Sequence, residues 1–141
     1  MTHLETRGHA TVDHTADQIL EAWGTTPEEC LEEAVVGLVA SFAEVDPGRW
    51  WWHRRVELTG DHADILVRLL EDVIYALDTE DAVPVRVHVS PYHDGVAADL
   101  WLTDLRRVTI VGPAPKGVSY SELLFGPTDA GRWRCRVTVD V

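Results

Sequence analysis

Two aspartates near opposite ends of the chain have the residue type and setting that metal chemistry requires. Asp17 ends a polar stretch of four residues, HTAD, which is predicted to be a turn between two strands, and Asp140 is the next-to-last residue of an otherwise apolar final segment. Carboxylate oxygens are the ligands that calcium- and magnesium-type cations prefer. If the two aspartates converge, they and the free carboxylate of Val141 would form a hard oxygen site for a divalent cation, and the turn at Asp13 to His14 is the other predicted source of a third protein ligand. Sequence spacing alone does not bring the two aspartates together, so two solvated surface carboxylates are the alternative.

Other common catalytic signatures are missing from the sequence. The chain has seven histidines, and no two of them have the four-residue helical spacing of a zinc hydrolase. Ser119 and Ser121 lack the flanking glycines of a nucleophile elbow, and no glycine-rich phosphate loop is present. Only His14 is a sequence neighbour of the aspartates that could serve as a base. A stand-alone metal-dependent phosphoesterase built on the aspartates is therefore the second hypothesis for function and not the first.

Lys116 is a further candidate because of its position. It lies at the start of a predicted strand, at the end of a connection rich in proline and glycine that runs from Gly112 to Gly117, and the chain has few lysines. From spacing alone, a solvated surface lysine is the favoured interpretation.

The acidity of the chain bears on its partners. Asp and Glu number 24 against 12 Lys and Arg, and the formal net charge is −12. Because nucleic-acid binding draws most of its affinity from basic contacts to phosphates, strong direct RNA binding is disfavoured. A local exception is the run Trp50–Trp52 with Arg49, Arg54 and Arg55, which could stack bases. An edge strand with partly buried indoles is favoured for this run, and an RNA-binding or chaperone-like module is the third hypothesis for function.

Hydrophobic periodicity predicts two amphipathic helices. The first is capped by Thr25 or Thr26 and places Glu32 and Glu33 on the face opposite its apolar residues. The second begins after Asp61 and has the wider and more apolar face, so we expect it to be the central helix.

Strands are predicted where apolar and polar residues alternate. They are Gly8 to Asp13, Ile19 to Trp23, a segment through Val56 and Leu58, a hairpin of Val85 to Val89 and Val96 to Leu102 that turns at His93 to Gly95, a strand ending at Leu124, and a final strand through Cys135, Val137 and Val139. The later strands have no crossover helices between them. We therefore predict an α+β fold, in which two helices pack together on a mainly antiparallel sheet within one domain, residues 1–141.

The sequence also bears on the cellular compartment. No positively charged N-terminal stretch precedes an apolar run, and no window approaches the length of a membrane span. Cys30 and Cys135 lack the spacing of a metal or redox motif and are predicted to be packed thiols. We expect a cytosolic protein.

Three segments, in order, resemble the archease family over nearly the whole chain. Residues 12–42, VDHTADQILEAWGTTPEECLEEAVVGLVASF, are similar to the family's opening, which has an aspartate turn, a strand ending in an aromatic residue and glycine, and a Glu-Glu-rich helix. Residues 64–81, DILVRLLEDVIYALDTED, resemble its long central helix. Residues 116–125, KGVSYSELLF, resemble its Lys-x-x-Thr-Tyr-Ser/His strand, and the chain ends Asp140, Val141 where the family usually ends Asp-Ile.

The resemblance implies both a metal site and a role. It implies a metal site of Asp17, Asp140 and Val141, with a divalent cation of the calcium, magnesium or manganese type. It also implies that Lys116 and the two aspartates are needed to activate an RtcB-type RNA ligase, which joins RNA ends in tRNA splicing and RNA repair. That ligase uses GTP and manganese and passes through a guanylylated histidine of its own, and archease speeds this step and permits multiple turnover. The implied role is a protein cofactor that meets RNA only indirectly, and not an enzyme.

The sequence departs from the family pattern near Lys116. The segment TDLRRVTIVGPAP, between Leu102 and Lys116, lacks the usual Gly-Glu and following His, and Gly117 and Ser119 replace the more common Ala and Thr. These departures affect the surface expected to face the ligase, whereas the three metal-site residues are retained.

Overall fold

The computed structural model describes residues 6–14 and 17–141, without the side chains of Asp13 and His14. The helices are α1 (Pro27–Ala40) and α2 (His62–Glu80). The strands are β1 (Gly8–His14), β2 (Asp17–Gly24), β3 (Ala43–Glu44), β4 (Trp52–Thr59), β5 (Ala82–Tyr92), β6 (Gly95–Asp104), β7 (Thr109–Ile110), β8 (Gly117–Pro127) and β9 (Trp133–Asp140). A 3₁₀ turn at Leu105–Arg107 precedes β7. None of the helices in these residues is long and apolar enough to cross a membrane.

The described strands form three antiparallel sheets, and the two helices pack on them and on each other. The strand orders are β1-β2-β9-β8, β4-β6-β5 and β3-β7. The α+β class and the paired helices are as predicted, but the strands are divided among three sheets instead of one. The division follows the chain, because the strands around α2 pair locally while β8 and β9 return to the strands that precede α1.

Both helices begin where local signals predict. The Thr26 side chain accepts a hydrogen bond from the Glu29 backbone N–H at 3.1 Å, and Pro27 occupies the first turn, where a missing N–H is not a defect. The Asp61 carboxylate accepts from the Asp64 backbone N–H at 2.9 Å at the start of α2. These side chains satisfy N–H groups that have no partner within the helix, which fixes each starting residue.

The polar face of α1, where Glu32 and Glu33 are predicted to lie, is itself covered by other elements. Glu32 is only 9% exposed, and its carboxylate accepts hydrogen bonds from the Val89 backbone N–H at 2.8 Å and from Arg7 at 2.9 Å. Glu33 is half-buried and meets Arg7 at 2.6 Å and His9 at 3.1 Å. Hydrophobic periodicity did not predict the burial of this face. β1 and β5 cover it with polar partners, and a pattern of apolar residues does not indicate polar contacts of this kind.

Glu33 gives a prediction for stability against pH. A hydrogen bond with His9, and also the contact with Arg7, hold the pKa of the Glu33 carboxyl below its ordinary 4.5, against the opposing effect of burial. A carboxyl with a lowered pKa stabilises the fold above its unfolded-state pKa, and this contribution is lost as the pH falls through the folded-state value. We therefore expect Glu33→Gln to lower the free energy of unfolding by about 1–3 kcal/mol at neutral pH. The difference from wild type should shrink as the pH falls below 4.5.

Urea unfolding at a series of pH values measures this difference. Glu71→Gln, on an exposed position of α2, is the matched control and should have little effect at any pH. A deficit in Glu33→Gln that stayed constant into acid would contradict the ionic explanation.

The tryptophan run lies at a sheet edge, as predicted, but its indoles reach farther into solvent than expected. Trp52 begins β4, which is an outer strand of its sheet. Trp50, Trp51 and Trp52 are 44%, 61% and 38% exposed. The position of the tryptophan run at a sheet edge was predictable from its composition. The exposure of the indoles was not, because it depends on which elements cover the sheet.

Cys30 and Cys135 are packed thiols, as predicted. Both are free and buried. A hydrogen bond with Cys30, together with burial, raises the pKa of the Cys135 thiol, which keeps it protonated.

Candidate functional site

The four-stranded sheet joins the two aspartates that sequence spacing leaves apart. Asp17 begins β2, Asp140 ends β9, and the antiparallel register places them directly opposite each other. Residues directly opposite in such a pair project to the same face, with Cβ atoms about 4.5–5.5 Å apart. The two carboxylates therefore share one face at one end of the sheet.

The alternation of burial shows which face this is. In β2, Gln18 and Leu20 are buried while Asp17 is half-exposed, and in β9 Val139 is buried while Asp140 is exposed. Gln18 is directly opposite Val139, so the inward positions of the two strands match as well. The aspartates are thus on the side away from the core, where a cation or a partner can reach them.

Lys116 reaches the same end of the sheet through β8. Gly117 begins β8 and is paired with Asp140, and the Lys116 backbone N–H donates a hydrogen bond to the Asp140 carbonyl oxygen at 2.7 Å. Pro115 is buried and Lys116 is exposed. Chain pairing therefore places the lysine next to the aspartate, and its side chain is accessible to a partner.

Gly117 also borders the Asp140 carboxylate. A Cβ built on Gly117 would lie 3.6 Å from Asp140 Oδ2, which is ordinary van der Waals contact. The Asp140 carboxylate thus lies beside the first residue of β8, which directly follows Lys116. Glycine at this position leaves the approach to the carboxylate open.

The predicted turn between β1 and β2 is only partly described. His14 ends β1 and is paired with Asp17 through the backbone, so both belong to strands and not to the turn as predicted. Thr15 and Ala16 lie outside the described residues, as do the side chains of Asp13 and His14. The proposal of a third ligand from Asp13 or His14 therefore stays a prediction.

The donors present fit a hard divalent cation but supply only part of its shell. Asp17 and Asp140 offer carboxylate oxygens, and Val141 follows, half-buried against the core. Among the side chains that the structure describes, which exclude those of Asp13 and His14, no cluster of three or more His, Cys, Asp or Glu is placed to hold a metal. A calcium ion takes six to eight oxygens and magnesium retains several waters. Backbone or terminal oxygens, water or a partner's groups would therefore have to complete the shell.

An irregularity in β8 is a feature that sequence reasoning missed. The register with β9 shifts between Ser119 and Leu124, and Glu122 has a left-handed backbone with φ of 58°. Tyr120 lies within this irregular segment, soon after Lys116 in the chain, and is 61% exposed. The only sequence signal was the interruption of apolar alternation by the polar residues around Tyr120.

Comparison with known proteins assigns the family. Residues 9–141 match the archease protein family. The chain belongs to the archease family. It is 42% identical over 135 residues to "Probable protein archease" from Mycobacterium tuberculosis, which covers 95% of this chain and 75% of that relative. It is 31% identical over 134 residues to "Protein archease" from Archaeoglobus fulgidus, which covers 92% of this chain and 96% of that relative.

A solved structure shares the fold. The solution structure of Methanobacterium thermoautotrophicum protein 1598 matches with a TM-score of 0.71, covering 95% of this chain and 99% of that chain, at 22% identity. The predicted archease membership and the α+β architecture are thereby confirmed.

Proposed function

We propose that this archease-family chain is a metal-binding activator of an RtcB-type RNA ligase in tRNA splicing and RNA repair, and is not an enzyme on its own. The observation that carries the proposal is the pairing of β2, β9 and β8, which sets Asp17, Asp140 and Lys116 at one end of one sheet. Two carboxylates could bind the metal of a metal–triphosphate complex, and the lysine beside them could contact the phosphates.

The residues of this site have separate tasks. Asp17, Asp140 and an oxygen of Val141 would hold a divalent cation of the calcium, magnesium or manganese type. When bound, such a cation supplies positive charge that neutralises phosphate oxygens during phosphoryl transfer. Lys116, immediately before β8, would add a second positive charge near the phosphates of the GTP that the ligase uses. Together they would favour guanylylation of the ligase and its repeated turnover.

Exposure and charge favour an activator over a stand-alone phosphoesterase. Asp140 and Lys116 are exposed at the end of the sheet, where a partner can contact them, whereas catalysis by the chain alone would benefit from a water-excluding pocket. The formal net charge of −12 complements a protein partner that is itself basic for RNA.

The deciding experiment is ligase guanylylation and multiple-turnover RNA joining with and without the purified chain. We expect the chain to raise the guanylylation rate and to allow repeated turnover at substoichiometric ligase. A double variant, Asp17→Asn with Asp140→Asn, at equal concentration controls for nonspecific protein effects. The proposal fails if ligase kinetics are unchanged, or if the chain alone hydrolyses phosphoesters with magnesium or manganese at a clear rate.

A further inference from the structure

The sheet β4-β6-β5 has a solvent-facing side that carries aromatic and basic residues. Its inner positions, including Leu58, Leu100 and Leu102, are buried beneath the helices. On the outer side, cross-strand pairing aligns His53 with Trp101 and Trp101 with Arg86. One row of aromatic and cationic side chains therefore runs across three strands.

Ring contacts make this row a continuous platform. The Trp101 ring lies 5.1 Å from that of His53 and 6.5 Å from that of Trp50, measured between centroids, and the Trp50 ring meets it edge-on. The Arg86 guanidinium lies 4.8 Å over the Trp101 ring. A guanidinium held against an aromatic ring in this way can still donate hydrogen bonds from its N–H groups to an anion.

A second stack continues the platform beyond the strands. Arg107 lies 4.3 Å over the Trp51 ring, and Trp51 is fixed by its backbone N–H, which donates to the Leu102 carbonyl oxygen at 2.8 Å. A surface depression of about 570 Å³ adjoins this stack. Its lining includes Asp46, Arg49, Trp50, Trp51, Arg106 and Arg107. A depression of this volume is in the range that accommodates small ligands, and so can receive a nucleotide unit.

The charge of this surface differs from that of the chain. Over the part of the chain that the structure describes, neither Arg86 nor Arg107 has a carboxylate within salt-bridge distance. The neighbouring Arg106 is paired with Asp104 at 3.0 Å, and its hydrogen bonds lower the pKa of Asp104 to about 2. Two stacked cations are therefore available to phosphate groups on a molecule whose formal net charge is −12.

We propose that this surface, the tryptophan–arginine face, binds single-stranded nucleic acid. The face consists of Trp50, Trp51, His53, Arg86, Trp101 and Arg107. Bases stack on the exposed indoles, and phosphates contact the two arginines. A duplex hides the faces of its bases, and an acidic peptide has no flat rings to use the indoles, so a single strand fits the chemistry best. The inference goes beyond the proposed ligase activation, because it requires only the chain itself.

The test is binding of a labelled single-stranded uridine octamer to the purified chain, followed by fluorescence anisotropy at low salt and across a salt series. Trp51→Ala should weaken binding roughly tenfold, because one stacking platform is lost. Arg107→Gln should weaken binding and reduce the slope of log K against log salt by about 0.7, as expected when one phosphate contact to a single strand is lost. Trp51 is 61% exposed, so its replacement should leave the fold intact.

Matched controls separate this face from the rest of the surface. Tyr75→Ala and Arg68→Gln remove an exposed aromatic ring and an exposed cation from α2, and both should bind as wild type does. The inference is overturned if the octamer does not bind, if the face variants and controls weaken binding equally, or if a duplex of equal length binds as tightly. Binding of a polyglutamate peptide in preference to the octamer would also overturn it, in favour of a protein partner. Since no ligase is present, these outcomes are independent of the activation assay.

Discussion

Asp17→Asn and Asp140→Asn are each expected to abolish ligase activation while leaving the fold intact. The substitutions preserve side-chain size on the outer face of the sheet, so neither creates a cavity, and the free energy of unfolding without metal should change by about 0.5 kcal/mol or less. Each removes one negative charge from the proposed ligand set, which should lower cation affinity because hard cations favour carboxylates. Ligase guanylylation rate, calorimetric cation binding and thermal unfolding are the three measurements.

A matched aspartate tests whether the effect belongs to the site. Asp94 is exposed in the turn between β5 and β6, and Asp94→Asn should retain full activation and cation binding. If both site variants activate the ligase fully, the bound cation is not needed for activation, even if the variants bind the cation more weakly.

Lys116→Ala is expected to reduce activation by roughly 100-fold or more while cation affinity is retained. The substitution removes a charge directed at the partner's phosphates and no ligand of the cation. Alanine keeps the backbone N–H that donates to the Asp140 carbonyl oxygen, so the end of the sheet should be preserved. Guanylylation rate and cation affinity measured on the same preparation separate the two functions.

Two further variants sharpen this expectation. Lys116→Arg keeps the charge but changes a compact ammonium into a planar fork, so it should restore only part of the activation. Arg68→Ala removes a cation from α2, outside the site, and should leave activation unchanged. Unimpaired activation by Lys116→Ala would eliminate the proposed contact with phosphate.

Local features of the fold were predictable from the sequence because local chemistry determines them. The Thr26 cap with Pro27, and the Asp61 cap, each satisfy backbone groups within a few residues, so both helix starts were readable. The hairpin of β5 and β6 was likewise predicted from alternation and a short turn. The division into three sheets was not predictable, because pairing between distant strands depends on the whole chain.

The candidate site shows the same limit. Residue chemistry identified Asp17 and Asp140 as candidates, but only the resemblance to archease linked them, and only the register of β2 and β9 places them opposite each other. Periodicity placed Glu32 on the polar face of α1 but did not indicate that this face is covered, because the partners of Glu32, the Val89 N–H and Arg7, come from distant segments. A buried polar residue with distant partners leaves no periodic pattern in the sequence, so its burial could not be predicted.

The position of β9 inside its sheet has a consequence for synthesis of the protein. β9 lies between β2 and β8, although it is the last strand in the sequence. A nascent chain that has released only β1 and β2 therefore holds a hairpin in which β2 still lacks its second neighbour, and β8 emerges before β9, the strand with which it pairs. Asp17 and Asp140 are translated far apart in time, so a truncated chain carries one half of the site. If the proposed activation requires both aspartates, a chain that ends before β9 should not activate the ligase, and docking of β9 should be the step that completes the site.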